Sequence, residues 1–395
     1  MKRLYEELLS NHFKKDKQIA FVLGPRQVGK TTTCRAFEKN HSYFNWDDEK
    51  TRRLILKGQD ALAEEIGANK STVVIFDELH KYPEWKNFIK GFYDVYAKDN
   101  FQVIVTGSAN FNIHRKGADS LMGRYFLYRM HPLTIGEIVH KTYSENEIRK
   151  PKNISDAVFK SLLRYGGFPE PFLKNDVKFF NKWKGLRKQL LFREDLRDLT
   201  RINEVGQVEV LAELIQLNAA QQCNYSSYSK KLRASENSVR SWIAALESLY
   251  YCFRIKPWSK NISKALTKEP KIYLWDWSSV DDEGARNENF VASHLLKSVH
   301  WWSDNGFGDY DLFYLRTFEK REIDFLVTKD KKPWFLVEVK TKEEKLNKNL
   351  SYFQEKTKAA YAFQVVFNKE FVDKDCFGTH YPIVVPARTF LSQLI

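Results

Sequence analysis

The chain lacks the cysteine pairs of a zinc site or a disulfide framework. Its four cysteines, Cys34, Cys223, Cys252 and Cys376, are far apart and form no C-x-x-C pair, which fits a reducing cytosol. It also lacks a long apolar run: nothing approaches the ~20 residues needed to span a bilayer. The start, Met1-Lys2-Arg3-Leu4-Tyr5-Glu6-Glu7, has acids where a signal peptide would place its apolar core. No internal repeat or low-complexity tract occurs. These absences predict a soluble, cytoplasmic protein without a membrane partner. What is present is size, aromatic content and positive charge. At 395 residues the prior is two to four domains, 43% hydrophobic residues suffice for packed cores, and 15% are aromatic. A formal charge of +14 and a pI near 9.3 point to a polyanionic partner, nucleic acid or an acidic membrane surface, or else to a lysine-rich solvated surface.

The most informative stretch is Gly24-Pro25-Arg26-Gln27-Val28-Gly29-Lys30-Thr31. It follows the apolar run Ile19–Leu23 and leads into a helix-like segment, Thr32 to Lys39. Strand, glycine-containing loop and helix start are what a phosphate-binding loop requires. Its glycines let N–H groups turn inward, and the helix offers its positive end. Lys30 would reach the β/γ-phosphates of ATP and Thr31 would ligate Mg²⁺, with Thr32 beside them. The pattern arises by accident in about one chain of this length in a hundred. The apolar run Thr72–Phe76 then ends in Asp77 and Glu78. Asp77 would hold Mg²⁺ and Glu78 would polarise the attacking water. The strand Phe101–Val105 ends in Thr106-Gly107-Ser108-Ala109-Asn110, where Ser108 and Asn110 are candidates to read the γ-phosphate or else form an ordinary polar turn.

Together with Phe76-Asp77-Glu78-Leu79-His80-Lys81-Tyr82-Pro83-Glu84-Trp85, Thr106-Gly107-Ser108, Leu121-Met122-Gly123-Arg124, Pro132-Leu133-Thr134-Ile135-Gly136-Glu137 and Gly166-Gly167-Phe168-Pro169-Glu170, the loop resembles AAA+-type P-loop ATPases of the AAA_14 family whose C-terminal part is the DUF4143 region. The resemblance runs along nearly the whole chain. It implies an α/β multidomain protein: a parallel ATPase sheet with helices (1–138), a helical connector or lid (139–200), a winged-helix segment (201–265) and a restriction-endonuclease-like α/β domain (266–395). Arg124 has two readings, a finger on the nucleotide of a neighbouring subunit in a homo-oligomer or an intramolecular ion pair. The polar stretch from His140 to Asn153 reads as a linker.

Between Tyr225 and Tyr250, a short basic helix near Ser229–Ala234 is followed by a break at Ser235-Glu236-Asn237. Val239, Trp242, Ile243, Leu246 and Leu249 then fall on one helical face. This is the pattern of a helix-turn-helix, in which Lys230, Lys231, Arg233 and Arg240 would contact DNA phosphate, or of an ordinary helical hairpin.

Four E-x-K triplets occur from Glu84 onward, beginning at Glu84, Glu269, Glu338 and Glu343. One closes an apolar strand, Trp334–Lys340, and period-two alternation puts Glu338 and Lys340 on one face. A second strand, Arg321–Val327, presents Asp324, and a turn near Asp330–Pro333 brings it close to Glu338. Glu288 shares a helix face with Val291, Ala292 and Leu295, so its carboxylate needs a partner. The set resembles the PD-(D/E)xK nucleases, with Ile323 in place of the proline. The expectation is Mg²⁺ or Mn²⁺ held by Glu288, Asp324 and Glu338, with Lys340 orienting the nucleophile. The alternative is a salt-bridged domain that keeps the fold for binding.

Overall fold

A computed structural model describes residues 1–68, 72–97, 101–108, 121–196, 202, 204–259, 269–342 and 345–395. Asn110 and Glu343 lie outside these residues. The chain divides into two compact units: residues 1–131 with 141–143, and residues 132–140 with 144–395.

The first unit is built on five strands: β1 (Ile19–Leu23), β2 (His41–Asn45), β3 (Val73–Asp77), β4 (Gln102–Gly107) and β5 (Tyr125–Arg129). They lie in the order β2-β3-β4-β1-β5, all parallel. Parallel strands need crossovers, so both faces are covered and the central strands read as continuous apolar runs. Every residue of β1 and β3 is buried. Phe21, Phe76, Phe88, Phe92 and Trp85 fill the space between sheet and helices. The sheet therefore delivers the C-terminal ends of β1, β3 and β4 to one edge, where ligands bind in open α/β sheets.

The second unit begins with helices and ends on a mixed sheet. Helix Val205–Leu217 precedes the pair Tyr225–Leu232 and Glu236–Ser248. Arg233 takes left-handed backbone (φ 51°), and the Ser235 hydroxyl accepts from Ser238 N–H to cap the second helix. Val239, Trp242, Ile243 and Leu246 are buried on its inner face, as their spacing predicts. Seven strands follow: β6 (Cys252–Pro257), β7 (Lys271–Leu274), β8 (Tyr310–Arg316), β9 (Glu322–Lys329), β10 (Lys332–Lys340), β11 (Tyr361–Val366) and β12 (Ile383–Pro386). Their order is β12-β11-β10-β9-β8-β6-β7. Strands β9 and β10 are antiparallel, joined through Asp330 and Lys331, both at positive φ (50° and 64°). Two such residues match the right-handed twist of a tight hairpin. Helix Glu283–Asp304 packs on this sheet.

Two motifs turn out to serve packing. Glu137 forms a fully buried ion pair with Lys297, and a Cβ on Gly136 would meet Leu394 O at 2.2 Å. Leu133 N–H donates to Gly167 O at 2.7 Å, and a Cβ on Gly167 would stand 2.5 Å from Leu133 O and from the Trp277 ring. The polar stretch read as a linker is partly docked instead. Arg149 N–H donates to Gln393 O, Trp302 Nε1–H donates to Glu147 O at 2.9 Å, and Lys152 N–H donates to Ser392 Oγ at 3.1 Å.

Candidate nucleotide site and carboxylate cleft

The loop after β1 is shaped by its neighbours. Gly24 N–H donates to Gly107 O, and a Cβ at Gly24 would lie 2.2 Å from Met130 O, so only glycine fits. Gln27 (φ 62°) and Gly29 (φ 100°) are left-handed, which turns the chain into helix Lys30–Phe37. Pro25 and Val28 are buried, Arg26 is half-buried, and Thr32 is exposed. From beneath, the buried Arg3 guanidinium donates to Val28 O and His131 O, both at 2.7 Å. Sequence reasoning missed this buttress, because nothing local marks Arg3.

Lys30 is buried, and its ammonium donates to Gly24 O at 2.9 Å and Pro25 O at 2.8 Å. Burial brings its pKa down to about 8, with Glu78 and Asp77 pulling the other way. Asp77 receives hydroxyl hydrogen bonds from Thr31 (2.6 Å), Tyr43 (2.8 Å) and Thr106. Glu78 sits at φ 53° and accepts from Ser108 Oγ at 3.1 Å. His80 Nε2 and Lys81 Nζ each stand 3.7 Å from the same Glu78 oxygen. The buried Gln27 Oε1 has no hydrogen-bond partner among the described residues. A hydroxyl and a carboxylate already in contact, beside a buried ammonium, fit a Mg²⁺–triphosphate.

Arg124 is not brought to this loop within the chain. Its carbonyl accepts from Ile19 N–H at the start of β1, whereas the loop leaves the far end of that strand, about 13 Å on at ~3.3 Å per residue. Its guanidinium grips Asp94 at 2.7 and 3.0 Å.

In the second unit, Glu288, Asp324, Glu338 and Lys340 do come together. Lys340 Nζ is 2.9 Å from Glu338 Oε1, and that oxygen also accepts from Asn347 Nδ2 at 2.8 Å. Asp324 Oδ2 accepts from Val339 N–H at 2.9 Å. Burial and the nearby Asp324 push both Glu288 and Glu338 up to about 7. Tyr273 OH donates to Glu288 at 2.8 Å.

The metal expectation for Glu288, Asp324 and Glu338 meets a different arrangement. The Lys271 ammonium stands among the acids, 2.7 Å from Glu322, 3.0 Å from Glu288 and 3.5 Å from Asp324. Among the described residues, no three Asp, Glu, His or Cys side chains are placed to hold a metal ion. The residues present do not fit a divalent cation there. The E-x-K triplet at Glu269 contains Lys271 and was the available signal. Beside the cluster opens a cleft of about 550 Å³, walled by Gln221, Asn224, Lys231 and Arg316.

Residues 16–139 match the model of an AAA domain, AAA_14. Residues 156–280 and 283–387 match two domains of unknown function, DUF8612 and DUF4143. An uncharacterized protein of Methanocaldococcus jannaschii is 23% identical over 337 residues, 78% of this chain and 72% of its own. One of Haemophilus influenzae is 21% identical over 347 residues, 80% and 81% of the two chains. Among solved structures, a Walker-type ATPase of Pyrococcus abyssi is similar at 16% identity and TM-score 0.43, covering 70% of this chain and 93% of its own.

Proposed function

We propose that this chain, whose residues 16–139 match an AAA domain and residues 283–387 the DUF4143 region, is an AAA+-type P-loop ATPase that binds Mg²⁺–ATP on the loop Gly24–Thr32 and hydrolyses it. The observation that carries this reading is the contact of Thr31 with Asp77, beside the buried Lys30 and with Glu78 next in sequence. Lys30 exchanges its two loop carbonyls for the β/γ-phosphates. Thr31 and Asp77 would hold Mg²⁺, which would supply neutralising charge to the phosphates. Glu78 orients the attacking water and takes its proton, and the Ser108 hydroxyl holds Glu78 in place. A Glu78→Gln protein is expected to bind ATP with unchanged affinity and to stop turning it over. Turnover at the unmodified rate would remove Glu78 from this role.

The partner in this reading is nucleic acid. Three helices followed by the antiparallel pair β6–β7 have the make-up of a winged helix, and Lys230, Lys231 and Arg233 are exposed on it. Arg240 is exposed as well and stacks over Tyr225, 3.7 Å from the ring centroid. ATPase rates with single-stranded, double-stranded and branched DNA test the coupling, and a rate indifferent to all three counts against it. For the C-terminal sheet, the placement of Lys271 favours an ATP-controlled binding domain over a DNA-cutting one. Mg²⁺- or Mn²⁺-dependent nicking that disappears in Glu338→Ala or Lys340→Ala while ATP turnover survives would reverse that preference.

A further inference from the structure

We infer that Lys271 is the permanent cation of the C-terminal carboxylate cluster and that it excludes a divalent metal from it. The inference deepens the reading of this domain as one that binds without cutting. A divalent ion here would need the oxygens of Glu288 and Asp324 at about 2.0–2.6 Å. The Lys271 ammonium lies where those oxygens converge, with Glu322 as its nearest partner at 2.7 Å. Two like charges cannot share that point.

The lysine is also unable to retract. Its side chain is only 5% exposed, and its backbone is fixed on two sides. Residue 271 pairs with Ile255 on β6 and bridges Gln222. The flanking residues continue that pairing: Cys223 N–H donates to Pro270 O at 2.7 Å and Ile272 N–H donates to Gln221 O at 3.1 Å. The remaining acid, Glu338, is held by Lys340 and Asn347, and Glu322 is shared with Arg316 at 2.7 Å. Each carboxylate of the cluster therefore has a cation or a donor from the chain itself. The cation comes from the segment matching DUF8612, and the acids come from the segment matching DUF4143. One segment thus closes the metal position of the other.

The test counts Mn²⁺ bound to the full chain without nucleotide, by electron paramagnetic resonance. Glu288→Gln and Asp324→Asn are expected to leave the number of bound ions equal to that of the unmodified chain. Lys271→Met is expected to gain about one equivalent, and Lys271→Met/Glu288→Gln to lose it again. An unmodified chain that loses an ion on Glu288→Gln overturns the inference. So does a folded Lys271→Met protein that gains none. If Lys271→Met does not fold, the comparison of the unmodified chain with Glu288→Gln decides alone. Binding to the nucleotide site is common to all these proteins and cancels, so the outcome is independent of whether ATP is hydrolysed.

Discussion

Two buried lysines define the two units, and their surroundings are opposite. Lys30 lies on two backbone carbonyls, whereas Lys271 touches three carboxylates. Burial wins at Lys30 and brings its pKa down to about 8. At Lys271 the acids overcome burial and raise it. A lysine held by neutral carbonyls keeps most of its charge unspent and is ready for an incoming anion. A lysine saturated by carboxylates has none left to offer. The same residue type thus marks a ligand site in one unit and a closed ion network in the other.

The largest expected effect separates the two at once. Lys30→Ala should reduce ATP turnover by at least about 100-fold, since a charge aimed at the transferring phosphoryl group is worth that much or more. Its urea-unfolding midpoint should stay close to that of the unmodified chain, because no carboxylate loses its partner. Lys271→Met should do the converse. Removing one member of a buried ion network costs about 3–5 kcal/mol, read as a lowered urea midpoint, while nucleotide affinity is unchanged. Equal destabilisation by both substitutions would break the comparison.

Next in size is a pH effect. With its pKa near 8 in the free protein, Lys30 is charged below that value and increasingly neutral above it. Bound phosphate favours the ammonium and raises its pKa, so binding takes up a proton above pH 8. Affinity should be flat below about pH 8 and then fall by up to about tenfold per unit as pH rises. Fluorescent-nucleotide titrations from neutral to alkaline pH measure this. A slope that persists in Lys30→Arg would assign it to another group.

How much of this was legible in sequence depended on how local the cause was. The phosphate loop and its strands were readable because buried parallel strands are apolar along their whole length and the loop residues are contiguous. The Asp324–Glu338 pairing was readable from a hairpin whose turn and alternation lie within twenty residues. Lys271 was not, although its triplet was in view. Its position is set by pairing with Ile255 and Gln222 and by acids up to 53 residues away. Nor was the docking of Arg149, whose partner Gln393 is 244 residues distant. Polarity made that stretch look like a linker, but backbone groups of Glu147, Arg149 and Lys152 are hydrogen-bonded to Trp302, Gln393 and Ser392.

The smallest effect concerns Arg124. Its two-pronged contact with exposed Asp94 is that of a surface ion pair, which salt and solvent weaken. It also stands at the opposite end of β1 from the loop of its own chain. Arg124→Ala should therefore leave nucleotide affinity unchanged and, at low protein concentration, turnover as well. A loss that grows with protein concentration would instead place this guanidinium on the nucleotide of a second copy, where it would supply charge to the phosphoryl group in trans.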